Sequence, residues 1–237
     1  MDKFEPCGLL IDGVPLEDFG GAALRDYSVG ETKITNTTFQ GVNRSTFRVL
    51  RSFFGTRMIT VTIVFKGETR HDAAKQRSLF NSAAFGASEL YISDDGFFYS
   101  VALTSCGPEE LVGEGKTEAQ IKSKYQFEGI RHEALVRETV AAGGTIFCRS
   151  TVPFTDCKLT ATPAASAVNY SFGGATFHNV GAGDVLVFDG IGGKITRSGN
   201  NDAASVDWTD FPRLVPGVNT ISASSGTVVV EYYPTYL

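Results

Sequence analysis

The chain has 237 residues, of which 42% are hydrophobic and 20% are charged, and its formal net charge is −5. This composition is typical of a soluble globular protein, and the length allows one or two domains. The acidic balance argues against specific nucleic-acid binding, because such proteins carry a basic patch. No apolar run reaches about 18 residues, so no membrane insertion is expected.

The first half of the chain predicts β-strands. An apolar run at residues 8–11, followed by Asp12-Gly13, predicts a short strand and a turn. The threonine-rich segment 32–39 predicts extended chain. The strongest strand pattern lies at residues 57–65, where apolar side chains alternate with threonines.

One helix is predicted from about Thr69 to Ala84. Thr69 can cap its first turn, Asp72 favours the N-terminal end, and Gly86 should end it. The residues expected on its buried stripe are Ala73, Leu79, Phe80, Ala83 and Ala84.

Two strands, 89–93 and 97–103, are predicted to form a hairpin around Asp94, Asp95 and Gly96. Asp-Gly is a favoured pair for tight hairpin turns, which makes this the clearest hairpin pattern in the chain.

The centre of the chain predicts a change of domain. Residues 107–120 are polar and glycine-containing, which predicts an exposed loop, and an aromatic strand pattern follows at 122–130. Helix-compatible residues then disappear at about 137–146. We therefore expect an N-terminal domain at 1–140 and a C-terminal domain at 141–237.

The second half predicts strand after strand, separated by glycine-rich turns. This spacing is typical of a β-sandwich. The predicted strands begin near residues 145, 157, 167, 176, 184, 193, 219 and 227. The expected fold class is mostly β, with an N-terminal split barrel or sandwich that carries one helix.

Nothing in the sequence predicts catalysis. The three histidines, His71, His132 and His178, lie in separate segments, and the four cysteines are scattered without metal-ligand spacing. We therefore expect reduced thiols, no catalytic residues, no metal and no cofactor. One aromatic feature remains, since Trp208 beside Phe211 can stack on a sugar, although packing is the commoner use.

The stretch 208–221 predicts a stiff loop before the last strand. It contains two prolines and one glycine within six residues, and Pro216-Gly217 is a strong turn pair. We expect Asn219 to hydrogen-bond the backbone of this loop, with Phe211 and Leu214 buried beneath it.

The order of elements in the last third resembles siphophage distal tail proteins, the ring-forming hubs at the tip of long non-contractile phage tails. An Asp-bounded strand is followed by a short strand, a Ser-Gly-Asn turn and the Pro-rich loop. The residues that carry the resemblance are Asp184, Asp189, Phe211, Pro212, Leu214, Pro216, Gly217 and Asn219. The strand, helix and hairpin of the first half resemble the ring domain of that family.

This resemblance implies a structural virion protein of the phage tail tip, made in the bacterial cytoplasm, and no enzyme. The first domain would form a homo-hexameric ring, and a galectin-like β-sandwich would decorate it. The implied partners are other copies of this chain, the tail tube protein, the tail-associated tip protein and receptor-binding proteins.

Edge strands and hairpins supply the repeated patch that closed cyclic symmetry requires. We expect ring contacts at Asp94, Asp95 and Gly96 and in the loop 107–120. Two other functions stay open. One is a carbohydrate-binding host-adhesion module, and the weaker one is a tail tube protein, which would normally have a single domain.

Overall fold

The computed structural model describes residues 6–24, 26–40, 47–112 and 119–237. The chain divides into two compact units, Met1–His132 with Leu237, and Glu133–Tyr236. This division falls a few residues before the composition change at 137–146. The strand Val136–Ala141 pairs along its length with Thr227–Tyr232, so it belongs to the second unit.

The described residues of the first unit form a large antiparallel sheet and one α-helix. The elements are β1 (Pro6–Cys7), β2 (Leu9–Ile11), β3 (Val14–Pro15), a 3₁₀ turn (Leu16–Phe19), β4 (Gly21–Leu24), β5 (Ser28–Val29), β6 (Ile34–Gln40), β7 (Phe47–Phe54), β8 (Arg57–Gly67), α1 (Arg70–Phe85), β9 (Glu89–Ile92), β10 (Phe97–Cys106), β11 (Glu110–Val112) and β12 (Ala119–His132). The strand order of the sheet is β1-β4-β8-β12-β10-β9-β2-β3, with β5 on β8 and β11 on β12, while β6 and β7 form a separate pair.

Strand β8 is an interior strand of this sheet and confirms the strongest strand prediction. It pairs with β12 from Arg57 opposite Gly129 to Gly67 opposite Ala119. The alternate apolar side chains are fully buried, and the threonines between them are buried as well. These residues are Ile59, Thr60, Val61, Thr62, Ile63 and Phe65.

Helix α1 begins and ends where the sequence predicts. The Thr69 hydroxyl accepts a hydrogen bond from Asp72 N at 3.2 Å, and Asp72 Oδ2 accepts one from Thr69 N at 3.1 Å. This reciprocal capping satisfies two N–H groups that the helix leaves unpaired. Gly86 occupies the C-terminal cap.

The buried stripe of α1 is narrower than expected. Phe80 is fully buried, and its ring centroid lies 5.6 Å from that of Phe65 and 4.9 Å from that of Tyr125. The prediction was wrong for Leu79, which is 56% exposed. Consecutive helical residues point about 100° apart, so Leu79 cannot share the direction of Phe80.

The second unit is a β-sandwich, and with it the prediction of a mostly-β chain with one helix is confirmed. Its sheets are β13-β24-β15-β18-β19-β20 with β22 on β15, β16-β17-β21, and β14-β23. The elements are β13 (Val136–Ala141), β14 (Thr145–Cys148), β15 (Thr155–Ala161), β16 (Ala167–Phe172), β17 (Ala175–Val180), β18 (Leu186–Asp189), β19 (Lys194–Arg197), β20 (Asn200–Asn201), a 3₁₀ turn (Ala203–Ser205), β21 (Val206–Asp207), β22 (Arg213–Leu214), β23 (Gly217–Thr220) and β24 (Thr227–Tyr232).

One aromatic-rich core joins these sheets. Buried side chains from the first sheet meet those from the second, the layered arrangement that defines a sandwich. The largest of them are Tyr170, Phe172, Phe177, Phe188 and Tyr232.

The cysteines are free thiols, as their scattered positions predict. Cys7, Cys148 and Cys157 are buried, and Cys106 is exposed. Burial raises the pKa of the Cys157 thiol to about 12, so this thiol stays protonated at neutral pH. Among the described residues, no helix is long and apolar enough to cross a membrane.

Candidate assembly and binding surfaces

Strands β6 and β7 form an exposed ribbon, which we call the arm. Within the described part of the chain these two strands pair only with each other. Every side chain of β6 is exposed. Five large apolar side chains of the arm are between 46% and 64% exposed, namely Ile34, Phe39, Val49, Leu50 and Phe53.

The arm presents two different faces. Cross-strand neighbours share a face, so Thr38 and Val49 lie on one side, and Phe39 and Arg48 lie on the other. On that second side Arg51 covers the Phe53 ring, with its guanidinium carbon 4.5 Å from the ring centroid. An isolated two-stranded ribbon is marginal in water, so the arm's apolar side chains gain stability only when another surface covers them.

The base of the arm is tied to the large sheet. Ser28 and Val29 of β5 pair with β8, and Gly30 N then donates to Met58 O at 2.8 Å. Gly55 N donates to Lys33 O at 2.7 Å. The arm therefore continues the β5–β8 ladder outward.

Sequence patterning found only half of the arm. The extended segment at 32–39 is confirmed as β6, but its partner β7 was not predicted. Strand β7 reads Phe-Arg-Val-Leu-Arg-Ser-Phe-Phe and lacks strict two-residue alternation. The pairing also shifts register between Thr37 and Thr38, which leaves Leu50 as an extra residue. Strand β7 carries apolar residues on both of its faces, and this pattern could have indicated an assembly surface.

The predicted hairpin tip is present between β9 and β10. Gly96 adopts a φ of 73°, and its N–H donates to Ile92 O at 2.9 Å. The Tyr99 hydroxyl donates to Asp95 Oδ2, so this carboxylate turns back toward its own hairpin. Asp94 and Gly96 are the exposed residues of the tip.

The expectation of a loop at 107–120 was wrong for Glu110–Val112, which form strand β11, and for Ala119 and Gln120, which begin strand β12. Leu111 pairs with Ile121 of β12. Strand β10 pairs with β12 only as far as Cys106 opposite Tyr125, and β11 takes its place beside the first residues of β12. The Leu111 side chain is 60% exposed. Residues 113–118 of the predicted loop lie outside the described residues.

Asn219 closes the Pro-rich loop, as the sequence predicts. Its side-chain oxygen accepts from Val215 N at 2.8 Å, and its amide nitrogen donates to Val215 O at 2.7 Å and Gly217 O at 2.9 Å. Gly217 has a φ of 89°, which other residues rarely adopt. Pro216 is exposed at the turn.

The buried side of this loop rests on the sandwich. Leu214 is 2% exposed, and Pro212 is also buried. Cys157 N donates to Pro212 O at 3.2 Å. A Cβ added at Gly190 would lie 2.7 Å from Pro212 O and 2.9 Å from Cys157 O, so glycine is required where this backbone passes.

Asp184 and Asp189 close turns with their own side chains. Asp184 Oδ2 accepts from Gly181 N at 2.8 Å, and Asp189 Oδ1 accepts from Gly192 N at 2.8 Å. The residues that carry the sequence resemblance therefore build loops, and none of these contacts requires a ligand.

Trp208 lies at a cleft on the second unit. Its ring centroid is 4.7 Å from that of Phe211 and 6.4 Å from that of Phe188. The indole is 39% exposed. The cleft has a volume of about 530 Å³, and Lys194, Thr196 and Asn201 are among the residues that line it.

The structure brings His178 and Asp207 together, although 29 residues separate them. His178 Nε2 lies 2.9 Å from Asp207 Oδ2, and Nδ1 lies 2.7 Å from Asn169 Oδ1. The three residues cross β16, β17 and β21 on the outer face of that sheet. Both ring nitrogens therefore lie within hydrogen-bond distance of side chains on the neighbouring strands. This group ties three strands together.

Solved structures of phage hub and baseplate proteins share this fold. The SPP1 Dit protein, described as a paradigm of hub adsorption apparatus in Gram-positive infecting phages, matches with a TM-score of 0.72 and 14% identity. The match covers 98% of this chain and 100% of Dit.

The phage P2 baseplate, in its activated conformation with Ca, contains a second similar chain. That match has a TM-score of 0.54 and 10% identity, and it covers 96% of this chain and 97% of the other. The baseplate with Sr gives the same values. No protein-family model and no curated protein matches the sequence. At these identities the likeness shows that this chain shares the fold of the SPP1 Dit protein and of the P2 baseplate chain.

Proposed function

We propose that the protein is a distal tail hub of a siphophage, a structural virion protein without enzymatic activity. Its copies form a ring of six through the first unit, and the second unit decorates that ring as a galectin-like sandwich. The ring joins the tail tube to the tail-tip and receptor-binding proteins during host adsorption. The chain is made in the bacterial cytoplasm and ends in the virion.

The match to the full length of Dit supports this proposal most strongly. It includes both units, whereas a single-domain sheet alone would match only part of that chain. The tail tube alternative expects a single domain, so the second unit weighs against it. Fold alone does not give function, and the arm supplies the independent structural argument.

The arm is suited to the repeated contact that a ring needs. A cyclic oligomer uses two different patches, one on each side of every subunit. The arm projects apolar side chains beyond its own sheet, and covering them on the next copy removes that surface from water. The first patch of the proposed contact is therefore the arm.

Charge suggests the second patch. The described arm carries Arg48 and Arg51 and no carboxylate, whereas the chain as a whole has a net charge of −5. The exposed Asp94 at the hairpin tip has the opposite sign. We therefore assign the arm of one copy to the neighbour's β9–β10 side, where such charges steer association.

Light scattering over a range of protein concentrations tests the proposal. Wild-type protein should approach six times the monomer mass. Phe39→Asp combined with Leu50→Asp should give monomers with an unchanged circular dichroism spectrum, because both side chains are exposed within their own unit.

The matched control is Val168→Asp, which changes a side chain that is 75% exposed on the second unit. This variant should assemble like the wild type. A wild-type protein that stays monomeric, both alone and mixed with tail tube protein, would overturn the ring. Assembly by the arm variant equal to the wild type would overturn the role of the arm.

A further inference from the structure

We infer that the cleft beside Trp208 is a glycan-binding site that holds a neutral hexopyranose unit. The site lies wholly within the second unit, so it does not depend on ring formation. Its volume of about 530 Å³ fits a small ligand, since such pockets range from roughly 300 to 1,000 Å³.

The aromatic wall of the cleft is rigid and still open. Trp208 contacts Phe211 and the fully buried Phe188, which hold the indole from behind. Yet 39% of Trp208 stays exposed. A flat, supported and partly exposed aromatic ring matches the C–H face of a pyranose, which is apolar although the sugar's rim is polar.

The polar residues of the cleft belong to β19 and β20, which form its polar wall. Lys194 and Thr196 of β19 line the cleft on either side of the buried Ile195. Asn201 is delivered beside them by the pairing of β20 with β19.

Several polar groups around the indole have no partner within the described chain. The hydrogen bonds there use neither the Lys194 amine, the Thr196 hydroxyl nor the Trp208 indole N–H. Asn201 Oδ1 accepts from Ala203 N at 3.2 Å, which leaves its amide N–H₂ as a donor. Hydroxyl groups on the edge of a sugar can both donate to and accept from such a set.

The charge of the cleft selects among ligands. Its lining contains no carboxylate that could hold a cation. The nearby Arg197 and Asp202 neutralise each other through a 2.7 Å ion pair. Lys194 is then the single charge in the lining, which is a weak basis for binding phosphate. A neutral sugar uses the aromatic wall and the polar wall together.

Trp208 is the only tryptophan in the chain, so a change in tryptophan fluorescence reports ligand binding at this cleft. The full-length protein should be titrated with chitotriose, lactose and maltotriose while tryptophan fluorescence is recorded. We expect a saturable change with at least one of them. Asn201→Ala should weaken that affinity by a few fold while it retains the fluorescence signal.

Two substitutions of Trp208 separate the contribution of ring stacking from that of the indole N–H. Because both remove the tryptophan fluorescence, their sugar affinity is measured by calorimetry. Trp208→Ala should lose about tenfold or more in affinity, which corresponds to about 1.4 kcal/mol. Trp208→Phe keeps a ring without the N–H and should fall between Trp208→Ala and the wild type. Phe147→Ala alters an exposed side chain elsewhere on the unit and should bind like the wild type.

Absence of a saturable response to all three sugars at millimolar concentrations would overturn the inference. So would affinity that Trp208→Ala leaves unchanged. A response to glycerol phosphate and to none of the sugars would assign the cleft to an anion instead. These binding results are independent of the light-scattering test of the ring. The proposed ring and the inferred glycan site can therefore be disproved separately.

Discussion

The arm and the Pro-rich loop of residues 208–221 both carry apolar side chains, but Leu214 of the loop and Leu50 of the arm stand in opposite relations to their own units. Leu214 of the loop is 2% exposed, whereas Leu50 of the arm is 64% exposed. Asn219 also closes the loop with three side-chain hydrogen bonds. Leu214 is therefore covered by its own unit, whereas Leu50 is not.

This difference separates residues that hold the fold from residues that are available for assembly. Burial within a unit makes an apolar side chain part of that unit's stability, whereas an exposed cluster of them marks an interaction surface. Matched substitutions in the two regions measure that separation directly.

The largest expected effect comes from a pair of identical substitutions, Leu214→Ala and Leu50→Ala. Loss of buried Leu214 should lower the free energy of unfolding by about 2–5 kcal/mol, because the change leaves a cavity. Loss of exposed Leu50 should change it by no more than about 0.5 kcal/mol in the monomer. Urea unfolding followed by circular dichroism measures both, and Trp208 fluorescence reports the second unit, which contains Leu214.

If Leu50→Ala destabilised the monomer as much as Leu214→Ala, the arm would be covered by its own unit. The contrast between the two regions would then fail. Under the proposed ring, Leu50→Ala lowers the assembled fraction at a given concentration instead.

A smaller effect is expected at Asn219. Asn219→Ala removes three hydrogen bonds to the loop backbone and should cost about 1–3 kcal/mol of unfolding free energy. Asn219→Asp should cost at least as much as Asn219→Ala, because a carboxylate oxygen would replace the amide donor and face the carbonyl oxygens of Val215 and Gly217. Urea midpoints at neutral pH give the order.

The matched control on the arm is Asn36→Ala. Asn36 is exposed and lies opposite Ser52, so its loss should stay within about 0.5 kcal/mol. Equal costs at Asn36 and Asn219 would show that the loop does not depend on its side-chain closure.

The smallest expected effect is a pH dependence at Asp12 in the first unit. Partial burial opposes its ionisation, but hydrogen bonds from Glu89 N and from the N–H and hydroxyl of Ser88 outweigh this and lower the pKa of the carboxyl. A lowered folded-state pKa stabilises the fold above the ordinary value of 3.8. That stability is lost as the pH falls through the folded-state pKa.

The drop in urea midpoint between about pH 5 and pH 3 should therefore be smaller for Asp12→Asn than for the wild type. The described arm carries no carboxylate, so acid does not change its charge. An unchanged pH profile in Asp12→Asn would mean that this turn makes no measurable contribution.

Local patterns were sufficient to predict most of the regular elements. The alternation at 57–65 predicts β8, Thr69 and Asp72 predict the start of α1, and Asp95-Gly96 predicts the β9–β10 turn. Each of these depends on residues within a few positions of one another, where strand period, capping and turn chemistry operate. The Asn219 closure is predictable for the same reason, because its partners are at most four residues away.

The candidate surfaces were less predictable because they depend on distant segments. The exposure of the arm depends on whether other segments of the chain pack against it. A local sequence pattern does not contain that information. The expectation of ring contacts at Asp94, Asp95 and Gly96 stays a prediction, and the structure turns Asp95 inward to Tyr99.

The sequence by itself determined a mostly-β chain with one capped helix, a tight hairpin and a stiff Pro-rich loop, because those follow from side-chain periodicity and turn chemistry. The tertiary structure alone decided that β13 belongs with β24, that His178 meets Asp207, and that Trp208 opens onto a polar cleft. These relations join residues far apart in the chain, and only the packing of whole sheets brings them together.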